Sequence, residues 1–172
     1  MPIGFVCAVT HDRVDTAFRD LAGTLAGRGW RLCGVLPEAK REPARHPCDR
    51  ALVSLATGAR LPISQNLGMG STGCRLDAAG LEAAAADVAA DFDRHGADLL
   101  IVNKFGKLEA TGRGFCGLIV EALSAGIPVL VGVNALNRAR FDAFTDGMAD
   151  QLSCQAAALA IWAEAARRHA AA

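Results

Sequence analysis

The sequence predicts a three-layer α/β protein: a mostly parallel sheet, helices on both faces and one small β-hairpin inserted into it. Three observations carry this. Short apolar, β-branched runs alternate with longer segments of helical periodicity, the pattern of strands joined by crossover helices. The chain has 172 residues, 52% of them hydrophobic, enough to bury a full core in a single domain over 1–172 without disulfides or a structural metal. Only 5% of residues are aromatic and there is no Tyr, so the apolar content comes largely from Ala, Leu and Val. That composition suits helices on a sheet better than an aromatic-rich β-sandwich.

The elements follow in order. Ile3–Thr10 (IGFVCAVT) reads as a buried strand, followed by a polar turn at His11-Asp12-Arg13. Val14–Arg28 carries Val14, Phe18, Leu21, Ala22 and Leu25 at helical spacing, and Gly27 and Gly29 end that helix. Arg31–Leu36 is a second strand, completing a strand–helix–strand unit. A polar loop over Glu38–Asp49 leads to Ala51–Leu55 and Arg60–Ser64, which flank Thr57-Gly58 as a hairpin. Asn66–Gly73 (NLGMGSTG) has three glycines in eight residues and is a loop. Asp77 caps a helix that has Glu82 in its early turns and runs to about His95. Asp98–Asn103 (DLLIVN) is the strongest strand. Gly117–Ala125 is a helix closed by Gly126, Pro128–Val133 a buried strand, Arg138–Phe144 a short helix, and Cys154–Ala171 a final Ala-rich helix. Four or five of the strands are expected to be parallel.

Eighteen basic and eighteen acidic residues cancel, so the basic excess of a nucleic-acid binder is missing. Apolar runs such as Ile127–Val133 are far shorter than the roughly 20 residues a bilayer needs. Met1-Pro2-Ile3-Gly4 has no basic leader. These features predict a cytoplasmic chain without membrane or nucleic-acid partners. None of the six cysteines has CxxC spacing, so neither a zinc site nor a thioredoxin motif is expected, and no catalytic residue or metal ligand is assigned. Cys7 and Cys33 read as small core residues, whereas Cys48 and Cys74 fall in loops. Nothing in the sequence names a cofactor. The small-residue helix at Ala156–Ala166 either covers the sheet or packs against a second copy of the chain.

In an open parallel sheet ligands bind at the carboxyl ends of the strands. The loops after Thr10, from Asn103 and from Asn134 leave such ends. Lys104, at the end of the strongest strand, is an anion-binding candidate, with Lys107 and Arg113 in the same loop and Glu109 as a possible salt-bridge partner. Gly70-Ser71-Thr72-Gly73-Cys74-Arg75 offers successive backbone N–H groups, two hydroxyls and a guanidinium, all donors to an anion. Asn134 and Arg138, with Arg140 beyond, complete the set.

The middle of the chain resembles the small nucleoside-triphosphatases of the P-loop superfamily first described from thermophiles. The matching text is Leu55-Ala56-Thr57-Gly58, the helix Leu81–His95, the strand and turn Asn103-Lys104-Phe105-Gly106-Lys107-Leu108-Glu109, then Phe115 and Gly126-Ile127-Pro128-Val129-Leu130. The NKFGKLE and GSTGCRLD stretches resemble a bacterial family of unknown function, associated with molybdate-transport genes. The resemblance implies a P-loop fold with a nucleotide-type site, and it exposes two departures. Where GxxxxGK[ST] is required to cradle phosphates, the chain has Thr10-His11-Asp12-Arg13-Val14-Asp15-Thr16. Arg13 is the basic residue there, and Thr16 falls where the magnesium-binding hydroxyl belongs. The strand that ends in two acidic residues in the family ends here in Asn103-Lys104. The expected function is therefore non-hydrolytic binding of a small anionic ligand, a nucleotide phosphate or a tetrahedral oxyanion such as molybdate. A slow hydrolase with a rearranged site and a protein-interaction module are the alternatives.

Overall fold

The computed structural model describes residues 2–7, 11–39, 50–65 and 76–170. The strands are β1 (Ile3–Cys7), β2 (Leu32–Pro37), β3 (Ala51–Ser54), β4 (Arg60–Pro62), β5 (Leu99–Phe105), β6 (Val129–Val133) and β7 (Asp150–Gln151). They form one seven-stranded sheet in the order β4-β3-β2-β5-β6-β1-β7. The five strands from β2 to β7 in that order are parallel; β3 is antiparallel to β2 and β4 to β3, so the hairpin widens the main sheet. The helices are α1 (His11–Ala26), α2 (Ala78–His95), α3 (Cys116–Ser124), α4 (Arg138–Phe144) and α5 (Ala156–Ala170).

Side chains alternate across each strand, so every central strand feeds two cores. Leu99, Ile101 and Leu130 meet Phe18, Leu21 and Leu25 of α1 and Leu159 and Ala163 of α5 on one face. Leu100, Val102, Val129 and Val131 meet Val88 and Phe92 of α2, Ile119 of α3 and Phe141 of α4 on the other. The prediction of three layers with four or five parallel strands matches this architecture.

Three boundaries differ from the sequence reading. First, α1 starts at His11, so the expected turn at His11–Arg13 is the first helical turn; residues 8–10 of the expected first strand lie outside the described residues. Asp12 there is favoured by the positive end of the helix dipole, and the Thr16 hydroxyl donates to the Asp12 carbonyl oxygen at 2.8 Å. Second, β5 runs two residues past Asn103, which places Asn103 and Lys104 inside the strand. Third, β7 has only two exposed residues and no local strand signal; it exists because Asp150 and Gln151 pair in parallel with Gly4 and Phe5. The Asp77 cap forms as expected, accepting from the Ala79 N–H at 3.0 Å. None of the described helices is long and apolar enough to cross a membrane.

Cys7, Cys33, Cys116 and Cys154 carry free thiols. Burial pushes the Cys33 thiol up to about 11 and the Cys116 thiol up to about 12, so neither forms a thiolate near neutral pH.

Asp98 ties three elements together at the amino edge of the sheet. It accepts from the Arg31 backbone N–H at 2.8 Å and faces the Arg31 and Arg167 guanidinium groups at 3.2 Å each. Burial pushes its carboxyl up, but the Arg31 side-chain and backbone hydrogen bonds and the two cations outweigh this and hold it below the ordinary 3.8. A depressed carboxylate stabilises the fold above its unfolded-state value, and that stability is lost as pH falls through the folded one. Urea midpoints of wild type and Asp98→Asn should therefore differ most above about pH 5 and converge in stronger acid.

Candidate functional site

The carboxyl ends of β5 and β6 and the first turns of α1 converge on one corner. Its centre is Asn103, a polar residue only 2% exposed at the end of a hydrophobic strand. The strand continues past it because Phe105 is fully buried against Phe141 and Phe144, at ring separations of 5.2 and 5.6 Å. Asn103 pairs with Gly132 of β6, and the register slips before Phe105 pairs with Val133, leaving Lys104 as an extra residue. The Asn103–Lys104 peptide is cis.

The Asn103 amide reaches across β6 and donates from Nδ2 to the Asp15 Oδ1 of α1 at 2.8 Å. Gly132 makes that crossing possible. A Cβ on Gly132 would stand 2.6 Å from Asn103 Oδ1 and 3.4 Å from Val14 Cγ1. This glycine lies in a regular strand and serves no turn; it is small because another side chain lies over it. Gly132→Ala should force the Asn103 amide away from Asp15 and cost about 1–3 kcal/mol, the usual loss when a buried donor is orphaned. Denaturant unfolding measures the cost, and an unchanged midpoint would show that the corner has room to spare.

Lys104 is half-buried. Burial holds its ammonium below the ordinary value for lysine; Asp15 draws it back up, Arg50 pushes it down, and Asp12 again draws it up. Two cations, Lys104 and Arg50, and two carboxylates, Asp15 and Asp12, thus act on one corner. The cation stands on the strand and the carboxylates on the helix, the reverse of the arrangement that the P-loop resemblance implies. Arg13 and Thr16 are exposed on α1.

Other predicted site residues are engaged elsewhere. Glu109, 3% exposed, accepts from the Gly106 N–H at 2.9 Å and the Phe115 N–H at 3.4 Å, which folds the 106–115 loop around it and gives no ion pair with Lys104. Burial pushes its carboxyl up, while these backbone donors pull it down. Lys107 is exposed, and Arg113 pairs with Glu82 at 2.9 Å. Asn134 caps the turn that follows β6, its Oδ1 accepting from the Asn137 N–H at 2.9 Å. Arg138 donates to the Asp142 carboxylate at 2.7 Å and to Gln151 at 3.0 Å, and its guanidinium lies 4.3 Å from the Phe5 ring centre. Arg140 donates to the Ala110 carbonyl at 3.3 Å. Gly70, Ser71, Thr72, Gly73, Cys74 and Arg75, and Cys48 likewise, lie outside the described residues. Among the described residues no group of three or more His, Cys, Asp or Glu side chains is placed to hold a metal ion.

The structure therefore joins Asn103 to Asp15 over Gly132, with Lys104 next in the strand, a contact that sequence reasoning missed. A glycine at the fourth position of the five-residue strand β6, with no turn to make, was the available signal.

The fold is shared with small nucleoside triphosphatases. A human cancer-related nucleoside triphosphatase superimposes with a TM-score of 0.62 at 18% identity, over 88% of this chain and 87% of that one. THEP1 from the hyperthermophile Aquifex aeolicus gives 0.60 at 13% identity over 96% of both chains. In sequence, the chain is 34% identical over 172 residues to the Molybdenum import ATP-binding protein ModC 2 of Bradyrhizobium diazoefficiens. That match takes in 94% of this chain but only 19% of the longer relative, so the chain spans about a fifth of it. The family described as "Protein of unknown function (DUF2478)" matches residues 3–162, and the chain belongs to that family.

Proposed function

We propose that this protein is a non-hydrolytic binding module built on a P-loop nucleoside-triphosphatase fold, taking a small tetrahedral oxyanion of the molybdate class at Lys104 and Arg50. The observation that carries this reading is the reversed charge of the corner: Asn103-Lys104 on β5 and Asp12 and Asp15 on α1. Hydrolysis needs glycine N–H groups and a lysine around the terminal phosphates, and an acidic residue to organise magnesium. The chain has no glycine from Phe5 to Ala22, and β5 carries an amide and an ammonium, Asn103 and Lys104, where the family has two acidic residues.

Two considerations favour an oxyanion over a nucleotide. A triphosphate without magnesium brings more negative charge to the Asp12 and Asp15 carboxylates than a divalent ion does. The sequence relative is a molybdenum import protein, which supports the same ligand class. Lys107, Arg13 and the donors of the Gly70–Arg75 loop are the further groups assigned to the anion.

Thermal shifts with molybdate, sulfate, phosphate, ATP and GTP, the nucleotides with and without magnesium, test the proposal. An oxyanion at 100 times its Kd should stabilise the protein by about 2.7 kcal/mol. Lys104→Ala should remove that shift while staying folded. Phosphate release from ATP or GTP, or a shift that survives Lys104→Ala, overturns the assignment. The absence of any shift favours a protein-interaction module.

A further inference from the structure

We infer that the Asp15 carboxylate is a built-in counter-ion at this corner, and that an oxyanion binds by displacing it from Asn103, next to Lys104, which moves the first turns of α1. The inference rests on the oxyanion reading above and adds the regulation of that site.

The contact is specific. Asn103 and Asp15 lie 88 positions apart in sequence, and the amide of one meets the carboxylate of the other across a strand opened by Gly132. Nothing in the packing of β5 requires an amide at position 103; its neighbours Val102 and Phe105 are apolar and fully buried. A buried amide N–H demands an acceptor, and Asp15 supplies one that is charged. Asp15 also draws the Lys104 ammonium by its charge. One carboxylate thus occupies the buried Asn103 donor and offsets the charge of the lysine beside it.

Charge makes the two occupants exclusive. Lys104 and Arg50 bring two positive charges, and Asp12 and Asp15 bring two negative ones. A divalent anion added to that set faces a like-charge contact with Asp15 at short range in a partly desolvated corner. If Asp15 leaves, the anion's oxygens take over both the Asn103 Nδ2–H and the Lys104 ammonium, and no buried donor is orphaned.

The helix is built to allow the exchange. From Phe18 onward α1 is fixed by Phe18, Leu21 and Leu25, each fully buried. Before Phe18, Asp12, Arg13 and Thr16 are exposed, and Val14 with Ala17 forms the apolar footing of the first turns. Movement confined to residues 11–16 involves Val14 alone among the buried residues of that core, in keeping with local opening at the less buried end of an element. Anion occupancy is thereby converted into a change on the surface that Asp12, Arg13 and Thr16 present.

Calorimetric titration of the full chain with sodium molybdate tests this, using wild type, Asp15→Asn, Asp15→Ser and Lys104→Met. Asp15→Asn removes the charge while keeping an oxygen for the Asn103 amide; Asp15→Ser provides a second route should the first variant fold poorly. Both should bind molybdate about tenfold more tightly or better, the effect expected for loss of one nearby like charge. In labelled wild type, the Asn103 side-chain amide and the backbone amides of residues 12–16 should shift on adding molybdate. Affinities equal to or weaker than wild type in both Asp15 variants, with binding abolished in Lys104→Met, overturn the counter-ion and leave the oxyanion reading standing. Tighter binding with unmoved 12–16 amides overturns the displacement of α1. No binding by wild type or by either Asp15 variant overturns the oxyanion reading and the counter-ion with it.

Discussion

Gly34→Ala is expected to abolish the native sheet. Gly34 lies in the middle of β2 with a φ of 110°, in register with Ile101 of β5. A Cβ there would stand 1.9 Å from the Ile101 carbonyl oxygen and 2.7 Å from its carbon. Both are backbone atoms of the most buried strand and have nowhere to go. The same residue accepts the Leu55 N–H at 2.9 Å, so moving β2 also disturbs the entry to the hairpin. The left-handed φ adds strain that any L side chain meets. The combined cost should exceed about 4 kcal/mol, in the range kept for disrupted backbone and core, against a total stability of about 5–15 kcal/mol. Soluble yield and far-UV circular dichroism of the variant provide the measurement. A folded Gly34→Ala with a wild-type urea midpoint would contradict the close approach of β2 to β5.

Phe141→Ala should cost about 3–5 kcal/mol, the usual loss for truncating a buried phenylalanine. Phe141 is fully buried and is the only buried residue of the seven-residue α4. A helix that short has no stability of its own, so α4 depends on this one anchor. Its ring sits 5.2 Å from Phe5 at 56° and 5.2 Å from Phe105 at 77°, both favourable aromatic geometries. Phe105 is the residue that holds the end of β5 in place beyond Asn103 and Lys104. The variant should therefore lose affinity for anion as well as stability, because the strand end that presents Lys104 loosens. Urea unfolding reads the first effect and molybdate titration of the folded fraction reads the second. A loss below about 1 kcal/mol would mean that Phe5 and Phe105 collapse into the space.

Much of the fold was legible in the chain itself. The runs IGFVC, DLLIVN and PVLVGV are apolar on both sides of the pleat, as strands covered on both faces must be. Asp77 before an Ala-rich stretch, and Gly126 after a helical run, marked helix ends that are present within a residue or two. These features were readable because each depends on a few neighbouring residues. The end of β5 was not: Asn and Lys after an apolar run signal a loop, and only distant Phe141 and Phe144 keep the strand going. The two-residue β7 likewise depends wholly on its partner β1.

The candidate site divides the same way. The sequence by itself determined that no phosphate-cradling glycine loop precedes α1, and that an amide and an ammonium follow the apolar run DLLIV; both are statements about residue identity at known positions. Only the tertiary structure decided that Asp15 meets Asn103 and that Gly132 opens the way between them. Those residues come from α1, β5 and β6. Their meeting is set by strand order and register, which place β6 between β5 and β1 and so bring groups 88 positions apart within hydrogen-bonding distance.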